Sequence, residues 1–297
     1  MKKATSIDEQ VELLKQRGIT IADEEKAKEQ LLDIGYYRLG FYLFPFEKSY
    51  PSLTKRDHSF IPGSQFCDAV DLYYFDVDLR NILLKFTSRF EVALRTYIIY
   101  SISNKYKDSP TWFVNPNVMQ KDFIAGFDKD IYETIRKNPP ICRHHQEYIN
   151  DKYAPAWKTI EFMTLGNVGK IYHNLKDLQD RLAISKHFGV NQTKVFDNYL
   201  ETVRHLRNKC AHGNVLYDAI IPKGIKSGPA GKVTNDNYES IGAAINVLKY
   251  FIGIISSNRK RELEEKLNEL FDRMDKKNPE LFKLILKTSK ILYTDKK

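Results

Sequence analysis

The sequence predicts an all-α protein with a helical-bundle core, and three observations lead to that fold class. Apolar residues recur at spacings of three and four through most of the chain, which is the period of one face of a helix. Capping residues precede several of these stretches and glycines follow them. The apolar–polar alternation of strands is nearly absent. Hydrophobic residues make up 42% of the 297, enough for a sizeable core.

Two short helices are predicted at the N-terminus. Ser6 and Glu9 form a capping box at the start of the first helix, which ends at Gly18. Asp23 caps the second helix, which ends near Gly35.

An aromatic segment and a loop precede a much longer predicted helix. The aromatic run over residues 36–46 is expected to pack tightly, and residues 47–63 have the prolines and polar residues of a loop. Residues 64 to about 105 contain no Pro or Gly after position 64 and carry apolar residues on one broad face, which predicts a single long helix.

The rest of the chain predicts shorter helices. The expected spans are 120–136, ended by Pro139 and Pro140, then 157–165, 167–175, 179–188, a helix capped by Asn191 and stopping at Gly213, and 238–256, 258–276 and 279–292. The Gly- and Pro-rich stretch 213–236 is expected to be a mobile loop. We expect an N-terminal helical region over 1–63, a core over 64–275 and a C-terminal helix within 276–297.

Charge and targeting signals narrow the class of protein. The N-terminus has no apolar run behind its lysines, and no stretch reaches the roughly 18 apolar residues of a membrane span, so we expect a cytoplasmic protein with no membrane partner. The three cysteines are far apart, which disfavours a disulfide scaffold. The formal net charge of +9 suits a polyanionic partner such as nucleic acid.

Most enzyme signatures are absent from the sequence. There is no phosphate-binding glycine loop, no dinucleotide fingerprint and no zinc-protease motif. Cys142, His144 and His145 could suggest a metal site, but they lack helical ligand spacing, so an exposed loop pair of histidines is the favoured interpretation. No cofactor and no metal is expected.

One stretch contains candidate catalytic residues. It is the basic run from Glu201 to Gly213 at the end of a predicted helix. It includes Arg207, Asn208 and His212. Arg207 and His212 are five positions apart, so on an ideal helix their side chains point about 140° apart. They converge only if the helix distorts near His212, or if a second copy of the chain supplies the missing group.

This residue set suits cleavage of RNA without a metal ion. The imidazole of His212 can take the proton of a ribose 2′-OH, which then attacks the adjacent phosphorus. Arg207 can stabilise the negative transition state, and Asn208 can orient the reacting groups. Such a reaction leaves a 2′,3′-cyclic phosphate and a 5′-OH. The alternative is a basic helix end that is favourable for the helix dipole alone.

Several segments in order resemble one known family. They are Leu32–Phe46, Leu72–Arg80, Phe90–Thr96, Pro155–Gly166 and Leu206–His212. The set is similar to the Abi-like abortive-infection proteins of the AbiD/AbiF type, and Arg207-Asn-Lys-Cys-Ala-His212 resembles the RxxxxH signature of the HEPN ribonuclease superfamily. The run after the motif, Gly213–Tyr217, departs from the His or Arg that follows the motif in many relatives, which puts substrate positioning in question.

The resemblance implies a HEPN-like core, dimerisation that brings two RxxxxH motifs into one cleft, and a metal-independent endoribonuclease. It further implies a toxin-like role in antiphage abortive infection. A structured small non-coding RNA is a possible inhibitory partner, as for some family members.

Other residues are candidates for supporting roles. Glu91 and Arg95 form either a helix-surface ion pair or a support for Arg207 or His212. Glu161 could hold an arginine of the motif, whereas Trp157 is expected in the core. The pair Asp76 and Arg80 is expected to be structural.

RNA contacts are predicted for basic residues near the motif, Arg204, Lys209, Lys223 and Lys226, although a merely solvated loop is an equal alternative for the last two. The triplet at 36–38 could stack on bases, with packing in the core favoured. The competing functions are a non-catalytic binder of structured RNA that uses the motif as a phosphate clamp, and a structural dimer scaffold.

Overall fold

The computed structural model describes residues 3–52, 54 and 56–293, and the all-α prediction is confirmed. The helices are α1 (Ile7–Gln16), α2 (Glu24–Ile34), α3 (Tyr36–Leu43), α4 (Phe66–Lys105), α5 (Lys121–Phe127), α6 (Glu133–Ile135), α7 (Pro139–Glu147), α8 (Ala156–Thr159), α9 (Leu165–Asn174), α10 (Leu178–His187), α11 (Thr193–Ala211), α12 (Ile241–Ile255), α13 (Ser257–Lys277) and α14 (Pro279–Ser289). Within the described ranges, β pairing is limited to isolated bridges such as Glu47 with Phe60.

The long helix α4 is the central element of the bundle. It packs against α3 at one end and against α9, α11, α12 and α13 along its length. Its most buried stripe has side chains at spacings of three and four, as one buried face of a helix requires: Leu72, Phe75, Leu79, Leu83, Phe86, Phe90, Leu94, Ile98 and Ile102. The predicted long helix is therefore confirmed, and residues of all three predicted regions contribute to one buried cluster.

The N-terminal helices begin where the capping residues predict. The Glu9 amide donates to Ser6 Oγ at 3.2 Å and the Ser6 amide donates to Glu9 Oε2 at 2.6 Å, which completes the capping box of α1. Asp23 Oδ1 accepts from the Lys26 amide at the start of α2. Both predicted caps are confirmed.

Two predictions for the segment between α4 and α9 are wrong. The helix expected over 120–136 is interrupted by a π-helical turn over Asp128–Tyr132. Pro139 and Pro140 end the previous helix but also begin α7, because proline fits the first turn, where no amide donor is needed. His144 and His145 consequently lie on a helix and not in an exposed loop, and His144 is buried beside Asp151.

Three further expectations about single residues are wrong. Asn191 is not the cap of α11, which begins after Gln192 without a side-chain cap. Trp157 is 52% exposed and not in the core. Tyr37, in the aromatic segment, is 84% exposed, since α3 turns Leu39, Tyr42 and Leu43 inward instead.

The C-terminal helices follow their apolar pattern. α13 buries Leu263, Leu267, Leu270 and Phe271, as its amphipathic sequence predicts. α12 is apolar over most of its circumference because it lies between α4, α11 and α13. None of the helices in the described ranges is both long enough and apolar enough to cross a membrane.

Candidate functional site

The RxxxxH motif occupies the last turn and a half of α11. The helix is regular through Ala211, and Gly213 adopts a φ of +65°, in the left-handed region that ends helices. The Asn214 amide donates to the Lys209 carbonyl at 2.9 Å and closes the end of the helix. His212 therefore lies at the point where the chain leaves the helix axis.

The imidazole of His212 is exposed to solvent. Its backbone amide donates to the Asn208 carbonyl at 3.0 Å, but its ring makes no hydrogen bond or ion pair with the described residues. An imidazole with both nitrogens accessible can accept a proton from a ligand or donate one to it.

Arg207 lies half-buried on the same helix and is held from two sides. Its Nε is 3.6 Å from Glu91 Oε2, and its Nη1 donates to Asn208 Oδ1 at 3.3 Å. The buried Nε makes no hydrogen bond shorter than this ion-pair distance. Within the described chain Nη2 has no partner, so one edge of the guanidinium remains available to an anion.

Glu91 and Arg95 form a buried pair on α4 beneath Arg207. Arg95 Nη2 donates to Glu91 Oε1 at 3.0 Å and to the Met163 carbonyl at 2.8 Å. Both side chains are about nine-tenths buried. The helix-surface alternative is therefore wrong, and the structure places Glu91 between Arg95 and Arg207.

Glu161 lies at the outer edge of this cluster. Its carboxylate is 3.5 Å from Arg95 Nη1 and its side chain is 58% exposed. The suggestion that it holds an arginine of the motif is wrong, because its ion pair is with Arg95 and not with Arg207. We call Glu91, Arg95, Glu161 and Arg207 the Glu91 network.

A second buried network fixes the backbone that follows the motif. Asp76 accepts from the amides of Leu216 and Tyr217 at 2.9–3.1 Å, and Arg80 Nη1 donates to Asp76 Oδ2 at 2.5 Å and to the Asn214 carbonyl at 3.1 Å. The Tyr42 hydroxyl donates to Asp76 at 2.9 Å. We call this set the Asp76 network, and its structural role agrees with the expectation for the pair.

Burial dominates the electrostatics of Asp76. Removal from water raises the pKa of this carboxyl to about 6, although Arg80, the two amides and Tyr42 each lower it. The loss of hydration is thus only partly offset by the donors around the carboxylate.

α3 also contacts the residues after the motif. The Arg38 guanidinium donates to the Gly213 carbonyl, and the Tyr217 hydroxyl donates to the Phe41 carbonyl at 3.0 Å. Sequence reasoning did not find these contacts, because the partners are about 175 residues apart and no local pattern joins them. It named Arg38 only as part of a stacking triplet.

The predicted RNA-contacting residues differ in their surroundings. Arg204 forms an ion pair with Glu201 at 2.7 Å, whereas Lys209, Lys223 and Lys226 form none with the described residues. Burial lowers the pKa of His205, and Arg204, Lys209 and Lys223 lower it further while Glu201 raises it. These positive charges therefore all lie close enough to His205 to affect its pKa.

The 213–236 segment is a loop, as predicted, and it contacts α11 at several points. Asn198 Nδ2 donates to the Gly224 carbonyl, and the Lys226 amide donates to Asn198 Oδ1, both at 2.8 Å. Ile221 and Ile225 are buried. These contacts hold the part of the loop that carries Lys223 and Lys226 beside α11, and the mobility of the loop stays a prediction.

The surroundings of the histidines bear on the suggested metal site. His145 Nε2 is 2.8 Å from the Tyr132 hydroxyl, and His144 Nε2 is 3.1 Å from Asp151 Oδ2. In the part of the chain that the structure describes, no three His, Cys, Asp or Glu residues are grouped as metal ligands would be.

Comparison with known protein families identifies the family to which the chain is similar. The family model described as Abi-like protein matches residues 29–218, more than half of the chain. The matched range begins within α2 and ends just after Tyr217, so it includes both networks and the whole motif. No curated protein and no solved structure matches the chain.

Proposed function

The chain belongs to the family of Abi-like proteins, and from this premise we propose that it is a toxin-like, metal-independent endoribonuclease of HEPN type that acts in abortive infection. The family suggests the defence role. One observation carries the proposed chemistry: an exposed, unpartnered His212 imidazole lies five positions from an Arg207 guanidinium that a buried carboxylate orients. A purely structural basic helix end requires neither feature.

The proposed reaction is transfer of a phosphoryl group within the RNA strand. His212 accepts the proton of a ribose 2′-OH as the 2′-oxygen bonds to phosphorus, and the bond from phosphorus to the 5′-oxygen breaks. A second imidazole protonates the leaving 5′-oxygen, so the products are a 2′,3′-cyclic phosphate and a 5′-OH. Arg207 donates hydrogen bonds to the phosphoryl oxygens as negative charge accumulates there.

A homodimer would supply the second imidazole. Because α11 is regular through Ala211, Arg207 and His212 leave the helix in directions about 140° apart on ideal geometry. The exposed ring of His212 is free to face a second copy, and two motifs in one cleft would provide a general base, a general acid and two guanidinium groups. Asn208, which accepts from Arg207 Nη1 at 3.3 Å, orients the guanidinium.

RNA is the proposed substrate and a structured small RNA a proposed inhibitory partner. The net charge of +9 and the unpaired Lys209, Lys223 and Lys226 beside α11 favour binding of a phosphate backbone. Arg204 is expected to contribute less, since Glu201 already neutralises it.

The test is cleavage of end-labelled RNA in EDTA. Wild type and the control His205→Ala, which changes another histidine of α11, are expected to release fragments with 2′,3′-cyclic phosphate ends, whereas His212→Ala should be at least about 1,000-fold slower. Salt-dependent RNA binding without cleavage by wild type would instead support the non-catalytic binder. Equal cleavage by wild type and His212→Ala would contradict the assigned chemistry.

A heterodimer with one altered copy tests the shared cleft. A heterodimer of one wild-type copy and one His212→Ala copy keeps a single imidazole, so it should cleave RNA at far below half of the wild-type rate if one site combines groups of both copies. A heterodimer of shown composition that keeps half of the wild-type rate would contradict the shared site.

A further inference from the structure

A cavity of about 400 Å³ lies between α1, α3 and the loop that follows α3, and no residue of the RxxxxH motif lines it. This volume is within the roughly 300–1,000 Å³ typical of sites for small ligands. α3 contributes Tyr36, Tyr37, Gly40 and Phe41 to its wall. The motif chemistry uses none of these residues.

The one buried carboxylate of the wall, Glu47, is already neutralised. Arg56 donates to both of its oxygens, from Nε at 2.9 Å and from Nη2 at 2.5 Å, and His58 Nδ1 lies 3.2 Å away. Glu47 is only 2% exposed, and its ion pair with Arg56 fixes it in the cavity wall. Glu47, Arg56 and His58 together supply hydrogen-bonding groups with little net charge.

Two other cations of the wall have no counter-charge. Arg17 and Lys3 form no ion pair with any described carboxylate, and the polar partner of the Arg17 side chain is the Tyr36 hydroxyl at 2.7 Å. The cavity therefore has a surplus of positive charge, which favours an anionic ligand. Arginine recognises phosphate with particular strength, because its donors match the spacing of phosphoryl oxygens.

Exposed aromatic rings lie beside these cations. Tyr37 is 84% exposed and Phe41 43% exposed, and their rings meet edge to face with centroids 5.5 Å apart. Large rings left in water on a short helix offer a stacking surface for a planar group. A ligand that satisfies both the rings and the cations carries an aromatic base and a phosphate.

A glycine leaves the wall of the cavity open. A Cβ added at Gly40 would meet no atom within 4 Å, and its φ is not in the left-handed region. The backbone therefore does not require glycine here, and a glycine inside a helix costs about 0.5–1 kcal/mol relative to alanine. The missing side chain instead leaves open space at the wall of the cavity.

We propose that this cavity is a nucleotide-binding site, in which Arg17 and Lys3 bind the phosphate, one ring of the Tyr37–Phe41 pair stacks on the base and the other contacts its edge. The nucleotide is either free or the 5′-terminal nucleotide of a strand, since both present the same chemistry. This site is separate from the RxxxxH motif and stands whether or not the protein cleaves RNA.

Calorimetric titration of the full-length protein with AMP, adenosine and inorganic phosphate tests the site. AMP is expected to bind at least about tenfold more tightly than adenosine or phosphate alone, because only AMP engages both the cations and the rings. A 5′-phosphorylated oligodeoxynucleotide and the same strand with a 5′-hydroxyl, both of which lack the 2′-OH, distinguish the two sources: a strand end is identified if the 5′-phosphate form binds more tightly than both AMP and the 5′-hydroxyl form, and a free nucleotide if it does not. Failure of both AMP and the 5′-phosphorylated oligonucleotide to bind at millimolar concentration would overturn the proposal.

Three variants locate the ligand. Arg17→Gln and Tyr37→Ala should each weaken AMP binding about tenfold or more, and Gly40→Leu should block it while leaving the thermal stability unchanged or higher. The control is Tyr100→Ala, which removes an exposed tyrosine of α4 outside the cavity and should bind AMP as wild type does. AMP binding that all three cavity variants retain would place the nucleotide elsewhere and overturn the proposal.

Discussion

Two acid–arginine pairs with the same spacing lie on α4 and end in different environments. Asp76 and Arg80 are buried, and the donors around the Asp76 carboxylate come from Arg80 on α4 itself and from two other parts of the chain, Tyr42 of α3 and the amides of Leu216 and Tyr217. Glu91 and Arg95 are buried as well, but their network continues through Arg207 to the surface. It includes guanidinium nitrogens that make no hydrogen bond.

Under the proposed function, this difference separates a structural role from a functional one. A network whose buried groups are paired stabilises one conformation, whereas a buried guanidinium nitrogen without a hydrogen-bond partner, such as Nε of Arg95 or Arg207, costs stability. The Asp76 network thus holds the chain after His212 in place, and the Glu91 network presents Arg207. The predictions below test this division.

The largest effect is expected from removal of Asp76. Asp76→Ala leaves Arg80 buried without its counter-charge and the amides of Leu216 and Tyr217 without an acceptor, so the free energy of unfolding should fall by about 3–5 kcal/mol. Denaturation in urea measures it. The control is Asp78→Ala, a change on the same helix as Asp76. It breaks an exposed ion pair with Arg273 of α13 and should cost at most about 1 kcal/mol. Equal losses in the two variants would contradict the structural role.

The next effect is on catalysis. Glu91→Gln keeps the size of the side chain but weakens its hold on Arg207, so the rate of RNA cleavage should fall about 100-fold. The loss of unfolding free energy should be smaller than for Asp76→Asn, because the Met163 carbonyl and Glu161 still contact Arg95. Comparison of the two conservative variants by cleavage and by urea denaturation sharpens the division. Unchanged cleavage by a folded Glu91→Gln protein would show that Glu91 does not position Arg207.

A third prediction concerns pH. Asp76 has a pKa raised to about 6 in the folded protein, above its value in the unfolded chain, so between about pH 4 and 6 the folded state binds more protons than the unfolded state. Its contribution to stability is therefore present at low pH and is lost as the pH rises through 6, at up to about 1.4 kcal/mol per pH unit. The difference in unfolding free energy between wild type and Asp76→Asn should fall across this window. A difference that rises with pH would mean that the surrounding donors outweigh the effect of burial.

The smallest effect is expected at the edge of the Glu91 network. Glu161→Gln removes a 3.5 Å ion pair whose acidic side chain is 58% exposed, so it should change the unfolding free energy by less than about 1 kcal/mol. Cleavage should stay within about twofold of wild type, because Glu161 does not contact Arg207. A loss as large as that of Glu91→Gln would restore Glu161 to the supporting role that the sequence suggested.

Much of the fold was predictable because its signals are local. The capping box of Ser6 and Glu9 and the uninterrupted apolar face of α4 depend on residues a few positions apart. The errors fell where a local signal has two outcomes. Pro139 can end one helix and begin the next, and an aromatic residue such as Tyr37 or Trp157 can face the core or the solvent.

The candidate site was predictable in part. Arg207, Asn208 and His212 were identified from residue types and spacing, and Glu91 and Arg95 were considered as their support. The sequence could not decide that Glu91 lies against Arg207 while Glu161 does not, since both are acidic residues remote in the chain from the motif. The role of Asp76 as the acceptor for the amides after the motif was also missed.

The sequence by itself determined the helices, the direction of their apolar faces and the position of a basic motif at the end of α11. These properties follow from interactions within one or two helical turns. Only the tertiary structure decided which carboxylate meets Arg207, which residues fix Gly213 to Tyr217, and which aromatic rings stay in water beside Arg17. Those contacts join parts of the chain up to about 175 residues apart, and they depend on how the packed helices orient their side chains.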